Sequence, residues 1–304
     1  MNMLKFLREQ GLPQTLLTKI ENYREQYPWS GARAIARPRF PYWGKEILEQ
    51  AVYALLSGAN LLLTGPKATG KNVLADNLAM LFGRPDWNVS FHIQVDASYL
   101  IGMDTFQGGE VKFRPGPVYE CASQGGFCIL DEINMARNEA MAVLHSLLDH
   151  RRILDVPGYE RLTVHPAARF IATMNYGYAG TRELNEALLS RFVVIQLPLP
   201  TEEQLLRLLE YEFPGLKQNA AAAFAALFQD LQEKSSQREI SGKAVDLRGL
   251  LESVRLIKLG LSSSAAIAMG LSNKCSDPQE RAIVEDLIAL RLPRDMSSEQ
   301  LFTS

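Results

Sequence analysis

The run Gly65-Pro66-Lys67-Ala68-Thr69-Gly70-Lys71-Asn72 follows the apolar segment Leu61-Leu62-Leu63-Thr64 and leads into a helical pattern. A glycine-bounded loop between strand and helix turns its backbone N–H groups inward, and that concavity suits phosphate oxygens. Lys71 then reaches the β- and γ-phosphates, and the positive end of the following helix dipole falls at the same place. The chemistry implied is nucleotide phosphate binding by residues 65–72. The motif expects Ser or Thr after its lysine, as a Mg²⁺ ligand. Here Asn72 stands there, with an amide oxygen that a hard cation accepts on a longer side chain.

A second group of residues supplies what hydrolysis needs. Phe127-Cys128-Ile129-Leu130 runs into Asp131-Glu132. Paired carboxylates at the carboxyl end of a parallel strand point into the crevice where such sheets bind ligands. Asp131 is assigned to Mg²⁺, through water, and Glu132 to the attacking water as general base. Ala172-Thr173-Met174-Asn175 ends another apolar run, and the Asn175 amide suits a water or the γ-phosphate, although asparagine also favours strand ends for turn reasons. Arg191, in Leu188-Leu189-Ser190-Arg191-Phe192, suits a transition-state contact made across a subunit boundary, or equally a surface ion pair. Arg248, in Val245-Asp246-Leu247-Arg248-Gly249, is either a γ-phosphate contact or a solvated helical arginine.

The elements that must position these groups alternate. Helical periodicity at Glu46–Leu56 and Lys71–Phe82 is interleaved with apolar strands at Leu61–Thr64, Phe91–Val95, Gly126–Leu130, Arg169–Thr173 and Val193–Leu197. That rhythm predicts a parallel sheet covered by helices on both faces. Two hairpins interrupt it. Phe106 to Phe113 alternates around Gly108-Gly109, and Arg152 to Thr163 carries Pro157-Gly158, a pair suited to a type II turn. After Pro198-Leu199-Pro200 no strand pattern remains. Thr201 caps a helix with Glu202 and Glu203 in its first turn, and further helices are expected at 219–231, 247–259 and 277–290. The expected domains are an N-terminal helical segment and linker at 1–42, an α/β nucleotide-binding domain at 43–200 and an all-helical domain at 201–304. Within the first of these, one or two short helices precede Tyr27-Pro28. Residues 29–42, with Arg33, Arg37 and Arg39, form either a wall for a nucleotide base or a tether.

The totals narrow the class. The chain has 304 residues, a hydrophobic fraction of 47% and a formal net charge of −2. No global basic field draws it to nucleic acid or membrane, and no apolar run is long enough to cross a bilayer. The N-terminus is charged and amphipathic, unlike a secretory signal. Cys121, Cys128 and Cys275 lack metal spacing, and the four histidines are scattered, which reads as a reduced, cytoplasmic protein without a His/Cys metal site.

The order of cradle, Asp131-Glu132, Asn175, Arg191 and helical domain resembles AAA+ ATPases. Leu100-Ile101-Gly102, Phe113-Arg114-Pro115-Gly116-Pro117-Val118, Leu130-Asp131-Glu132-Ile133-Asn134, Ala172-Thr173-Met174-Asn175 and Leu184 to Phe192 resemble the MoxR family. The run Tyr176 to Arg182 and the helix from Leu247 to Gly260 lean toward its CbbQ/NorQ-type members. The resemblance covers roughly residues 44–290. It implies a five-stranded P-loop AAA+ core with a helix-2-insert hairpin, a pre-sensor-1 hairpin and a helical lid. It makes Lys71 the Walker A lysine, Asp131 and Glu132 the Walker B pair, Asn175 sensor 1, Arg191 an arginine finger and Arg248 a sensor 2 residue. It implies ATP and Mg²⁺ as ligands, a hexameric ring with nucleotide between subunits, and a protein client. That client is often a metalloenzyme, served by a von Willebrand A-domain adaptor. The chain departs from the family pattern at Lys67, Ala68 and Asn72.

Two other classes compete with a chaperone-like ATPase. One is a nucleotide-binding scaffold with weak hydrolysis, which Asn72 keeps open. The other is a nucleic-acid-linked NTPase such as a GTP-using restriction subunit. The acidic balance opposes it, while Lys112, Arg114, Arg151, Arg152 and Arg161 in the inserts keep it open.

Overall fold

The computed structural model describes residues 3–175, 183–293 and 296–303. The run 176–182, part of the resemblance above, lies outside them. The chain divides into two compact units. One comprises residues 1–66 with 70–197, and the other residues 198–304 with 67–69.

In chain order the first unit carries α1 (Met3–Glu9), α2 (Gln14–Gln26), α3 (Lys45–Leu56), β1 (Asn60–Thr64), α4 (Lys71–Leu81) and β2 (Asp86–Ser90). Next come α5 (Ala97–Ile101), β3 (Gly102–Gln107), β4 (Glu110–Pro115), α6 (Pro117–Gln124) and β5 (Phe127–Asp131). It continues through α7 (Asn138–Met141), α8 (Leu144–Leu148), β6 (Ile153–Leu154), β7 (Leu162–Thr163), β8 (Arg169–Met174), α9 (Glu186–Leu189) and β9 (Phe192–Gln196). The main sheet has five strands in the order β2-β5-β8-β1-β9, all paired in parallel. β1 and β8 are buried along their whole length, as strands in the middle of a doubly covered sheet must be.

Alternation along each strand sorts the side chains between two cores. Leu62, Cys128, Leu130, Phe170 and Ala172 face α6 and α8 through Val118, Cys121, Leu144 and Leu147. Leu61, Leu63, Phe127, Ile129 and Ile171 face α2, α3 and α4 through Leu17, Ile20, Leu48, Val52, Leu74 and Leu78. The N-terminal helices are thus integral to the second core. Leu16, Leu17 and Ile20 are at most 1% exposed, and burial of that kind stabilises by about 2 kcal/mol per side chain.

One strand lies five residues earlier than its sequence pattern suggests: the expected Phe91–Val95 is instead Asp86–Ser90. Both segments alternate. The decision falls to Trp87 and Val89, which bury against the first core when Asp86 pairs with Phe127 and Ser90 with Asp131. Phe91 then donates to the Asp131 carbonyl at 2.8 Å as the chain leaves the sheet. Residues 29–33 cover this edge strand. Arg33 lies 4.5 Å over the Trp87 ring and its Nε donates to the Asp86 carbonyl at 2.8 Å, which blunts an otherwise open sheet edge.

The two hairpins form outside the main sheet. β3 and β4 pair from Gly102↔Pro115 to Gln107↔Glu110 around Gly108-Gly109, both at positive φ as a two-residue turn requires. This hairpin is longer than the alternation suggested. β6 and β7 pair over Ile153↔Thr163 and Leu154↔Leu162, with Gly158 at φ +81 in the connecting loop.

The second unit is helical: α10 (Glu202–Glu212), α11 (Gln218–Ser236), α12 (Leu247–Lys258), α13 (Ser263–Gly270), α14 (Pro278–Arg291) and α15 (Ser298–Leu301). Thr201 and Gln204 close a capping box on α10, and Asp277 caps α14. The architecture is the expected α/β sheet core followed by an all-helical part.

Candidate functional site

The cradle leaves the carboxyl end of β1, the fully buried strand between β8 and β9. Its backbone takes left-handed conformations at Ala68 (φ +62) and Gly70 (φ +81). Ala68 holds such a conformation with a Cβ, at a cost of roughly 1 kcal/mol. Lys71 opens α4 and is 7% exposed. Its Nζ donates to the carbonyls of Gly65 at 3.0 Å and Pro66 at 2.6 Å, so the side chain curls back along the loop it terminates. Burial lowers its pKa to about 8, against the opposing pull of Asp131 and Glu132. Asn72 follows in the first turn of α4 and is partly buried.

Residues 39–42 run beside this loop. The Tyr42 N–H donates to Asn77 Oδ1 at 3.3 Å, Asn77 Nδ2 donates to the Phe40 carbonyl at 2.8 Å, and Gln10 Nε2 donates to the Tyr42 carbonyl at 3.1 Å. The Tyr42 ring stands against the cradle: a Cβ added to Gly70 would meet its Cε2 at 3.5 Å. Burial pushes the Tyr42 hydroxyl up to about 12, so it stays neutral.

The carboxylate pair sits at the carboxyl end of β5. Asp131 is the last strand residue, and Glu132 turns the chain with a left-handed backbone, φ 53 and ψ 45. The neighbouring strand β8 meets both residues. Thr173 Oγ1 donates to Asp131 Oδ1 at 2.5 Å and accepts the Glu132 N–H at 3.0 Å. Asn175 Nδ2 donates to Glu132 Oε1 at 3.0 Å. Asn134 Nδ2 in turn holds the Asn175 carbonyl at 3.0 Å. Asn134 is 3% exposed, and its Oδ1 has no hydrogen-bond partner among the described residues. Sequence reasoning singled out Asp131, Glu132 and Asn175 but passed over Thr173 and Asn134. The signal available for Thr173 was its place two residues before Asn175.

Arg191 lies elsewhere. Its carbonyl accepts from Asn60 Nδ2 at 3.0 Å, and Phe192 pairs with Asn60, the first residue of β1. The cradle follows Thr64 at the other end of that strand, about 13 Å away at ~3.3 Å per residue. The guanidinium points to the backbone of its own chain, with Nε donating to the His145 carbonyl at 3.0 Å and Nη1 to that of Ala187. Arg248 belongs to the second unit, in the first turn of α12. There Asp246 caps the helix by accepting the Arg248 N–H at 3.0 Å, and Lys274 pairs with the same carboxylate at 2.5 Å.

Lys71, Asp131, Glu132 and Asn175 therefore converge at the carboxyl ends of β1, β5 and β8. The set fits a Mg²⁺-bound nucleotide. It offers an anion-binding loop closed by a buried cation, and hard oxygen donors from a carboxylate and an amide.

Residues 60–192 match the AAA domain of the dynein-related subfamily. YojN of Bacillus subtilis (strain 168) is 32% identical over 294 residues, which cover 94% of this chain and 96% of YojN. SH1500 of Staphylococcus haemolyticus is 33% identical over 238 residues, covering 76% of this chain and 90% of that protein. The chain belongs to the same family as YojN and SH1500. The crystal structure of a "putative ATPase" from Cytophaga hutchinsonii aligns with 96% of this chain and 99% of its own at 15% identity, with a TM-score of 0.48. The matched AAA domain begins at Asn60 and ends at Phe192, so it encloses the cradle, both carboxylates, Thr173, Asn175 and Arg191.

Proposed function

We propose that this AAA-domain protein hydrolyses ATP with Mg²⁺ and uses the cycle to remodel or activate a protein client. In this reading it works as a ring of identical subunits of the MoxR type, six by analogy. One observation carries the hydrolytic part: Glu132, the candidate base, is held at 3.0 Å by Asn175 beside Asp131 and within the field of Lys71. Bound Mg²⁺ would neutralise charge on the β- and γ-phosphates, with Asp131 and Asn72 as its holders. Lys71 exchanges its loop carbonyls for phosphate oxygens. Tyr42 forms a wall on the base side of the loop. Glu132 takes the proton of the attacking water, and Asn175 gives up its grip on Glu132 for the water or the γ-phosphate.

The inserts support a protein client over nucleic acid. Three of their cations already face carboxylates: Lys112 with Glu110 at 3.6 Å, Arg151 with Asp149 at 2.6 Å and Arg161 with Asp155 at 2.7 Å. Arg152 donates to the Ala168 carbonyl at 2.9 Å. Arg114 stays exposed on β4, and the first hairpin also offers an apolar pair. Phe106 and Val111 are cross-strand partners, exposed by 77% and 65%. A metalloenzyme client with a von Willebrand A-domain adaptor is the partner class that the MoxR resemblance suggests.

The test is a turnover assay with ATP and with GTP, with and without DNA, on the wild type and Glu132→Gln. The expected result is Mg²⁺-dependent ATP turnover indifferent to DNA, and a variant that binds ATP and stalls. Strong stimulation by DNA sinks the client reading. Binding without turnover in the wild type makes the protein a nucleotide-controlled scaffold.

A further inference from the structure

The contact between β5 and β8 assigns a role to a residue outside the nucleotide-binding and base positions. We propose that Thr173 is the positioning residue for both carboxylates, the one side chain among the described residues that joins Asp131 to the backbone of Glu132. The proposal rests on the Mg²⁺–ATP reading of the site.

The direction of each hydrogen bond follows from the donors. The Glu132 N–H can only donate, so Thr173 Oγ1 accepts it at 3.0 Å. The threonine's own proton then goes to Asp131 Oδ1 at 2.5 Å. A hydroxyl makes both bonds at once because it carries one proton and two lone pairs, and neither valine nor alanine can replace it. The site is also dry: Thr173 is 1% exposed, so water does not substitute for the lost partner.

Each bond fixes something different. The bond to Oδ1 commits one carboxylate oxygen and sets the rotation of the Asp131 carboxylate, which leaves Oδ2 for a cation or its water. The bond from the Glu132 N–H secures a residue in the left-handed region, at φ 53 and ψ 45. A non-glycine residue keeps that conformation only where its surroundings hold it, and the turn it makes aims the Glu132 carboxylate at Asn175. Thr173 belongs to β8 and both carboxylates to β5, so the parallel register sets the alignment. Leu130 pairs with Ala172, and the next residue on each strand brings Asp131 to Thr173. A partner that orients a metal-holding carboxylate is worth about 10- to 100-fold in metal affinity.

The experiment compares the wild type with Thr173→Val, Thr173→Ala and Thr173→Ser. Mn²⁺ bound with a non-hydrolysable ATP analogue is titrated by electron paramagnetic resonance. Binding of a fluorescent ATP analogue is measured separately in EDTA. The expected outcome is a loss of at least about tenfold in Mn²⁺ affinity for the valine and alanine variants. Their metal-free nucleotide binding should stay near the wild type, because Lys71 and the loop are untouched. Serine should restore most of the Mn²⁺ affinity. Wild-type Mn²⁺ affinity in the valine or alanine variant overturns the proposal. So does a serine variant as weak as valine, since the methyl group and not the hydroxyl would then matter. A wild type that binds nucleotide without Mn²⁺ overturns it too. If the wild type binds Mn²⁺ with nucleotide, valine loses it and no protein turns over, the hydrolytic reading fails while the role of Thr173 stands.

Discussion

Asp76 shows what the local field around the carboxylates costs. It lies on α4 and is partly buried. Burial first, then the nearby charges of Asp86 and Asp131, push its carboxyl up to about 6. In an unfolded chain it ionises near 3.8. The folded form therefore favours the protonated acid. Its stability relative to the unfolded chain falls as pH rises from about 4 through 6, and the loss is complete above that. Asp76→Asn removes the charge while keeping the shape. We expect this variant to gain on the order of 2 kcal/mol in chemical denaturation at pH 8 and almost nothing at pH 4. An equal gain at both values would remove ionisation as the cause. Residue-level chemistry was legible wherever it is local. The spacing of Gly65, Gly70 and Lys71 and the adjacent Asp131-Glu132 identify themselves within a few positions of sequence. The position of Thr173 two residues before Asn175 marked it only as sharing a strand face; its task was not legible, because it exists only when Asp131 and Thr173 lie level on neighbouring strands, and no local pattern states that register.

The same distinction holds for elements. Continuous apolar runs located β1, β5, β8 and β9 to within about one residue. β2 was misplaced because Asp86–Ser90 and Phe91–Val95 alternate equally well, and only pairing against β5 separates them. The two hairpins were each visible from their turn residues, but their association was not. The Tyr159 hydroxyl, from the loop between β6 and β7, donates to Asp104 Oδ1 at 2.5 Å on β3, and its ring lies 4.9 Å from Phe113 on β4. One side chain thus ties the tip of one hairpin to the root of the other. Phe113 and Tyr159 cover the root, while Phe106 and Val111 lie farther out on the same face. Tyr159→Phe keeps the ring and deletes the tie. The expected outcome is faster amide hydrogen exchange across residues 102–115, several-fold at the root, with an unchanged melting temperature. Unaltered exchange there would mean that ring packing alone joins the hairpins.

At the scale of the whole molecule, the placement of Arg191 bears on how the site is completed. A residue at the amino end of β1 cannot serve a cradle at the carboxyl end of the same strand. The gap of about 13 Å exceeds the length of an arginine side chain, and the guanidinium is tied to the His145 carbonyl. If Arg191 touches a γ-phosphate, that phosphate is bound by another subunit, and each subunit must supply a cradle on one side and an arginine on the other. This arrangement has a consequence that a self-contained site lacks. Lys71→Ala destroys the cradle but keeps the arginine, and Arg191→Ala does the reverse. Each variant alone should lose nearly all turnover, and Arg191→Ala should keep its affinity for ATP, since its own cradle is intact. Mixed and allowed to exchange, the two should recover activity where an Arg191→Ala cradle meets a Lys71→Ala neighbour. Recovery should peak near equal proportions and vanish at either extreme. An arginine acting by surface ion pairing alone predicts full turnover in Arg191→Ala, and a site complete within one subunit predicts no recovery in any proportion.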